Sequence, residues 1–192
     1  MHTRCPWANG DPLYEAYHDE EWGVPCYDAQ LLFANLVLDG FQAGLSWLTI
    51  LRKREAFYQA FHGFDPKRIA RYGDKDIARL LGEAGIVRNQ AKIRAAIANA
   101  QAFLELERQP GGFSTFAWSF VGGKPLVNQH HADGEIPAQS PEAQALSSAF
   151  KQAGFKFVGP TIVYAFMQAC GLVNDHLVSC PRYKACIKLA RK

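Results

Sequence analysis

The sequence predicts an all-α protein, and three observations carry the prediction. Apolar residues recur at steps of three and four through most of the chain, and sustained period-2 alternation is absent. The breaks between periodic segments fall at helix punctuation, with Asp or Ser before a segment and Gly or Pro after it. Roughly six to nine helices with little or no sheet follow, in a chain long enough for one well-buried core or two small lobes sharing it.

In chain order, Asp28 can cap a helix running through Leu31, Leu32, Asn35, Leu36 and Leu38 toward Gly40. Leu45, Leu48, Leu51, Phe57, Ala60 and Phe61 fit an amphipathic helix that stops at Gly63. Asp65-Pro66 reads as the N-cap and first residue of a short helix, and Asp74 can cap another through Ile77, Leu80 and Leu81. The longest pattern is Ile93, Ile97, Ala100 and Leu104, ending before Pro110-Gly111-Gly112. Ser114 and Ser140-Pro141 open two further helices, the second carrying Leu146, Ala149 and Phe150 to Gly154. Thr161 to Cys170 is apolar almost all round and predicts a buried central helix stopped at Gly171. Residues 122–140 lack any period and predict a surface loop or linker.

Two segments, 78–96 and 145–169, share a layout of helix, Gly-containing tight turn and helix. In the second, Gly154 can end one helix and Gly159-Pro160 start the next, with Lys156 in the turn. Backbone N–H groups then face solvent at a helix N-terminus, an arrangement that suits a phosphate oxygen. The same pattern also describes a helix corner that only packs.

Composition narrows the class. The chain is 48% hydrophobic, 20% charged and 12% aromatic, as soluble globular proteins are. No apolar run approaches the roughly 18 residues of a membrane span. MHTRCPWANG lacks the apolar stretch of a signal peptide, so a cytoplasmic protein with no membrane partner is expected. Five cysteines in such a chain read as thiols or metal ligands rather than a disulfide framework. The net charge is +3, but Arg182, Lys184, Lys188, Arg191 and Lys192 alone carry +5 and the other residues −2, which reads as a solvated basic tail. It gives no overall argument for a polyanionic partner.

Two constellations can carry chemistry. His176 and Cys180 are four apart, so on a helix they share a face; Cys5 and His18 supply the same two ligand types. Together they suffice for a closed tetrahedral zinc site, although the step from Cys5 to His18 is not a zinc-finger spacing, and buried free cysteines with packed histidines fit the spacing too. The second constellation is aromatic and acidic: Trp7, Tyr14, Tyr17 and Trp22, then LDGFQAGLSW at 38–47. Gly40 and Gly44 would weaken a helix by about 1 kcal/mol each relative to Ala, which makes sense where something approaches the backbone closely. Rings beside the Asp39 carboxylate suit a flat, electron-poor heterocycle; an ordinary aromatic core with a solvated Asp39 is the plainer alternative. The phosphate-loop, dinucleotide, zincin, nucleophile-elbow and zinc-deaminase signatures are missing. His130-His131 reads as solvated.

CPWANGDPLYEAYHDEEWGVP (5–25), LDGFQAGLSWLTILRKREAF (38–57), EAGIVRNQAKIRAAIANA (83–100) and GFKFVGPTIVYAFMQACGLVNDH (154–176) together resemble the TAG-type 3-methyladenine DNA glycosylases. The resemblance runs over residues 4–180 in the family's order. It implies the helix-hairpin-helix DNA glycosylase fold as one unit over residues 1–192, two helical lobes on one chain, with the hairpin at about 145–170 gripping DNA backbone. It places one structural zinc on Cys5, His18, His176 and Cys180, joining the chain's two ends. It places the base pocket on Tyr14, Tyr17 and Trp47, with Asp39 as the catalytic acid and Trp7 and Trp22 nearby. The family commonly has Glu at the acid, so this chain's carboxylate is one methylene shorter. Many superfamily relatives carry a catalytic Asp about twenty residues after the hairpin glycine, which ranks Asp175 second.

The implied reaction is hydrolysis of the N-glycosidic bond of 3-methyladenine in double-stranded DNA, leaving an abasic site, by a monomer without lyase activity. Gln42 and Lys156 are candidate DNA contacts. A non-catalytic helix-hairpin-helix DNA-binding module is the rival reading, disfavoured by the retained tyrosines, Trp47 and acid. A zinc hydrolase is disfavoured because four protein ligands leave no open position.

Overall fold

The computed structural model describes residues 4–190; Arg191 and Lys192 of the basic tail lie outside them. Ten α-helices and one short parallel strand pair make up the described residues: α1 (Pro12–Glu20), α2 (Ala29–Gln42), α3 (Trp47–Ala60), α4 (Pro66–Ile69), α5 (Asp74–Gly82), α6 (Gln90–Glu107), α7 (Gly112–Ser119), β1 (Leu126–Val127), α8 (Pro141–Gln152), α9 (Pro160–Ala169), β2 (Val173–Asn174) and α10 (Pro181–Leu189). The all-α expectation holds, with one helix more than its upper bound. The strands pair Leu126 with Val173 and Val127 with Asn174.

Local chemistry sets the boundaries. Asp28, Ser46, Asp65, Asn89 and Ser140 each accept a hydrogen bond from a backbone N–H one turn into the helix they open. Asp74 is not a cap but the first helical residue; Gly73 precedes it, and the Asp76 carboxylate accepts from the Gly73 N–H. Ser114 lies inside α7, which starts from the left-handed Gly111. Two helices the periodicity did not announce, α1 and α10, begin at Asp11-Pro12 and Cys180-Pro181.

Helix α2 is the centre, packed by α3, α6, α7 and α9. Nine of its fourteen residues are buried, Asp39 and Gly40 among them. Its C-terminal carbonyls have a side-chain partner in α6: Lys92 Nζ donates to Phe41 O at 2.9 Å and Ala43 O at 2.6 Å. Burial lowers the Lys92 pKa, yet the two carbonyls keep the ammonium hydrogen-bonded. The large core fills the space between α2, α3, α6, α7, α8 and α9. A second, smaller cluster gathers Cys5, Tyr17, Trp22, Leu51, Leu177 and Cys180, and Trp47 and Ile136 pack against both clusters.

Residues 122–140 are not a linker. Leu126 N–H donates to Leu172 O at 2.9 Å, and Val178 N–H to His130 O at 2.9 Å, so the loop is pinned beside the C-terminal segment and delivers Ile136 to the second cluster.

Candidate functional site

The seam between the two clusters is a cavity of about 250 Å³ lined by Trp7, Tyr14, Tyr17, Trp22, Asp39, Gln42, Trp47, Ile136, Ala165 and Gln168. Each wall has a local cause. Tyr14 and Tyr17 are three apart on α1 and so share a face. The Asp11 cap starts that helix, and an Arg52–Asp11 ion pair ties it to α3. Trp47 is the first residue of α3, fixed in register by the Ser46 cap. Trp7 sits in the helical turn Pro6–Ala8, with ring centroids 4.9 Å from both Tyr14 and Trp22. The Tyr17 and Trp47 rings lie 5.6 Å apart.

The cavity has apolar and aromatic walls with few polar atoms, and two of those atoms are unmatched. Asp39 is 2% exposed, and its Oδ2 has no hydrogen-bond partner among the described residues; Trp47 Nε1 is in the same condition. A buried polar group left unpaired is destabilising by about 1–3 kcal/mol, so two at one cavity mark a place that a polar ligand completes. Burial holds the Asp39 carboxyl well above the usual carboxylate range. Burial, and then the neighbouring Asp39, push the Tyr17 hydroxyl well up, which keeps it a neutral donor. The plainer alternative of a solvated Asp39 is excluded by its burial.

Gly40 and Gly44 divide the role expected of them. At Gly40 it is the 153–159 turn that comes close: an added Cβ would meet Phe157 Cβ at 3.5 Å. Gly44 serves conformation instead, with φ +79° in the turn between α2 and α3.

Behind the aromatic wall the structure brings Cys5, His18, His176 and Cys180 together, all buried, with their donor atoms within 4.8 Å of one another. Helix spacing is not the reason His176 and Cys180 meet. His176 follows β2, and Cys180 is the residue before α10, so a turn between them does the work. Cys180 Sγ lies 3.6 Å from His18 Nε2 and 3.8 Å from His176 Nδ1, and Cys5 Sγ 3.7 Å from His176 Nδ1. The outer nitrogens are engaged: His18 Nδ1 is 2.8 Å from Asp19 Oδ1, and His176 Nε2 is 2.9 Å from Trp22 O. Those acceptors fix the tautomer that turns each inner nitrogen's lone pair toward the cluster. Hydrogen bonds from Cys5, His176 and His18 draw the Cys180 pKa down to the thiolate against its burial, while Cys5 is pushed up by that same bond and by burial. All five cysteines are free, as expected. The cluster can hold a metal ion.

The two constellations touch. Trp22 packs edge-on to His176 at 4.6 Å and Trp7 to His18 at 5.3 Å, so the cluster braces the cavity's aromatic wall.

Asp175 is not a cavity wall. It is fully buried, and its oxygens accept four hydrogen bonds: Asn128 Nδ2 at 2.7 Å, His130 Nε2 at 3.1 Å, Tyr164 Oη at 2.5 Å and Gln168 Nε2 at 2.7 Å. A carboxylate so saturated orients its partners, and its second-rank candidacy as the catalytic acid falls. His130 is correspondingly paired rather than solvated, while His131 is exposed. Gln168, Ala165 and Ile136 are cavity residues that the sequence reading missed.

The α8–α9 hairpin turns at Gly154, φ +97°, and restarts at Gly159-Pro160 with no side-chain cap. Asn99 braces the turn, accepting from Lys156 N–H at 2.7 Å and donating to Lys156 O at 3.1 Å, and the Lys156 residue remains exposed.

A family model described as methyladenine glycosylase matches residues 7–183. The DNA-3-methyladenine glycosylase 1 of Escherichia coli (strain K12) is 52% identical over 180 residues, covering 94% of this chain and 96% of that protein. The DNA-3-methyladenine glycosylase of Haemophilus influenzae is 48% identical over 181 residues, covering 94% and 98%. Among solved structures, the 3-methyladenine DNA glycosylase I of Staphylococcus aureus matches with a TM-score of 0.90 at 42% identity, covering 94% of this chain and 96% of that one.

Proposed function

The chain belongs to the methyladenine glycosylase family, and from that premise we propose that it hydrolyses the N-glycosidic bond of 3-methyladenine in double-stranded DNA. The observation that carries the reading is the aromatic cavity with Asp39 buried and unpaired in it. Methylation at N3 gives the purine a positive charge. When the bond from C1′ to the base breaks, its electron pair goes to the base and cancels that charge; water supplies the hydroxyl that C1′ takes, and its remaining proton passes to the ionised Asp39 carboxylate or to solvent. A leaving group of this kind needs no strong acid and no lysine nucleophile. What the chain has to supply is recognition of a flipped cation. Tyr14, Tyr17 and Trp47 would stack on the base; Asp39 would release its proton to solvent as the base enters and pair with the positive charge, which favours the oxocarbenium-like sugar as well. An unmodified purine brings no charge to ionise Asp39 and gains no charge pairing from it.

The α8–α9 turn would hold DNA phosphates through free N–H groups at the start of α9, with Lys156 adding a charge. Gln42, the last residue of α2 and part of the cavity lining, would meet the strand. We assign one structural zinc to Cys5, His18, His176 and Cys180. Zinc bond lengths to sulfur and nitrogen imply S···N edges of about 3.6 Å in a tetrahedron, and three of the cluster's four are 3.6, 3.7 and 3.8 Å. The ion would act as a cross-link between the chain's two ends, with no position open for chemistry. The chain is read as a cytoplasmic monomer.

Incubating the protein with N-methylated DNA and following released bases by chromatography tests the activity. Release of 3-methyladenine is the expected result. Equal binding of methylated and plain DNA with no base release would leave a DNA-binding module instead.

A further inference from the structure

We infer that Asn99 is a positioning residue for DNA binding, holding the α8–α9 turn, together with Ser147, in a strained shape; this rests on the glycosylase reading above, with that turn as its phosphate grip. The strain sits at Phe157, a non-glycine residue with φ +53°. A bulky side chain disfavours that left-handed region, and such a residue persists where its surroundings over-determine it. Phe157 is itself 39% exposed, so packing alone does not impose the conformation. The peptide groups on both sides of it are pinned instead. Before it, Asn99 of α6 accepts from Lys156 N–H at 2.7 Å and donates to Lys156 O at 3.1 Å. The second of these bonds fixes the peptide plane from which the φ of Phe157 is turned. The two bonds together also fix the amide, since turning it over would set donor against donor and acceptor against acceptor. After Phe157, Ser147 Oγ of α8 donates to Val158 O at 2.6 Å.

Asn99 and Ser147 are 3% and 1% exposed, so neither is there to meet DNA itself. What they hold is the approach to Gly159-Pro160, where α9 starts with no side-chain cap and leaves its first N–H groups for a phosphate. On its other side the turn rests on α2: a Cβ added at Gly40 would meet Phe157 Cβ at 3.5 Å, one residue from Asp39. Asn99 thereby sets where the strand is gripped relative to the cavity. A turn without the clamp has to be ordered when DNA arrives, which weakens binding of DNA and leaves the cavity as it was.

The test compares wild type, Asn99→Ala, Ser147→Ala and Lys156→Ala. KM and kcat are measured for 3-methyladenine release from methylated DNA, and affinity for free 3-methyladenine is read from tryptophan fluorescence. N99A should raise KM about tenfold, with kcat and free-base affinity within about twofold of wild type. S147A should move KM the same way and carries the test if N99A does not fold. A defect of the whole fold weakens free-base binding as well. In a Phe157→Gly background, where positive φ carries no steric penalty, adding N99A should raise KM by only about twofold. An unchanged KM in N99A and S147A beside a raised KM in K156A overturns the inference, and so does a tenfold effect of N99A that persists with Phe157→Gly. If K156A too leaves KM unchanged, the turn is not the grip and the inference falls with it. If the wild type releases no base, it is the glycosylase reading that fails, and affinity for plain duplex DNA then takes the place of KM.

Discussion

Replacing Asp39 by Asn should make the free protein more stable and the enzyme worse. Burial raises the Asp39 pKa well above 3.8 in the folded state, with no partner on Oδ2 to offset it. Between the unfolded and the folded pKa, the native protein holds a proton that the unfolded chain has already released. Stability therefore falls as pH rises through that window. The penalty at pH 7 cannot exceed the work of keeping the carboxyl protonated, about 4 kcal/mol for an unfolded pKa near 3.9. Asn has no such titration. The difference between D39N and wild type should be small near pH 4 and grow toward pH 7 to at most about 4 kcal/mol, each kcal/mol raising the melting midpoint by about 2–4 °C in a chain of this size. The metal cluster is the same in both proteins, so the difference isolates Asp39. Thermal melts of both proteins from pH 4 to pH 8, beside rates of 3-methyladenine release, provide the measurement. A difference that stays flat with pH, or a D39N protein less stable at pH 7, refutes the reasoning; so does D39N with an undiminished rate.

Chelation should lower the melting midpoint sharply, since a link between residues 5 and 180 constrains the unfolded chain by about 5 kcal/mol, and near-ultraviolet circular dichroism should lose the signal of Trp7 and Trp22, which lean on the histidines; metal analysis should find one zinc per chain. Lys92→Met removes the partner of Phe41 O and Ala43 O and should destabilise by about 1–3 kcal/mol in urea melts. Two glycine substitutions should act in opposite directions. Gly40→Ala places its methyl at an ordinary 3.5 Å from Phe157 inside a helix and should stabilise by about 0.5–1 kcal/mol. Gly171→Ala would put a Cβ 2.4 Å from Val24 C at φ +69° and should destabilise by about 2 kcal/mol or more.

What the sequence could and could not disclose follows from where each side chain's partners come from. Helices α2, α4, α6 and α8 bury an apolar stripe and open on a capping residue, so period and punctuation agree and they are legible. Helix α10 buries only Cys186, and α1 turns Tyr14 and Tyr17 to the cavity rather than to a core stripe, so neither shows a period. Their Asp-Pro and Cys-Pro starts were visible, and Asp11-Pro12 is the same signal that was read at Asp65-Pro66. His176 and Cys180 drew attention through helix spacing and meet through a turn, a right pairing for a reason the fold does not use. Asp175 looked catalytic by its count from the hairpin glycine, and only three-dimensional contacts reveal four donors closing it off. Gln168 left one trace: a lone amide in the apolar run of α9 has to find a buried partner, and the nearest carboxylate along the chain is Asp175.

The cluster and the cavity also explain each other. A cavity built to accept a flat cation must stay open and largely dry when nothing is in it, and open cavities tend to collapse because their walls gain by packing. Rings cannot be held apart by the ligand they await. Here Trp7 and Trp22 are held from behind by His18 and His176, Trp47 by the start of α3, and Gln168 by Asp175. Among the described residues, the polar cavity atoms left without a partner are Asp39 Oδ2 and Trp47 Nε1, and of these only Asp39 can carry a charge. If Asp39 has the role proposed for it, stability withheld there would be returned when a positively charged partner arrives, and the discrimination between a methylated and an unmodified purine would be set before any bond is broken.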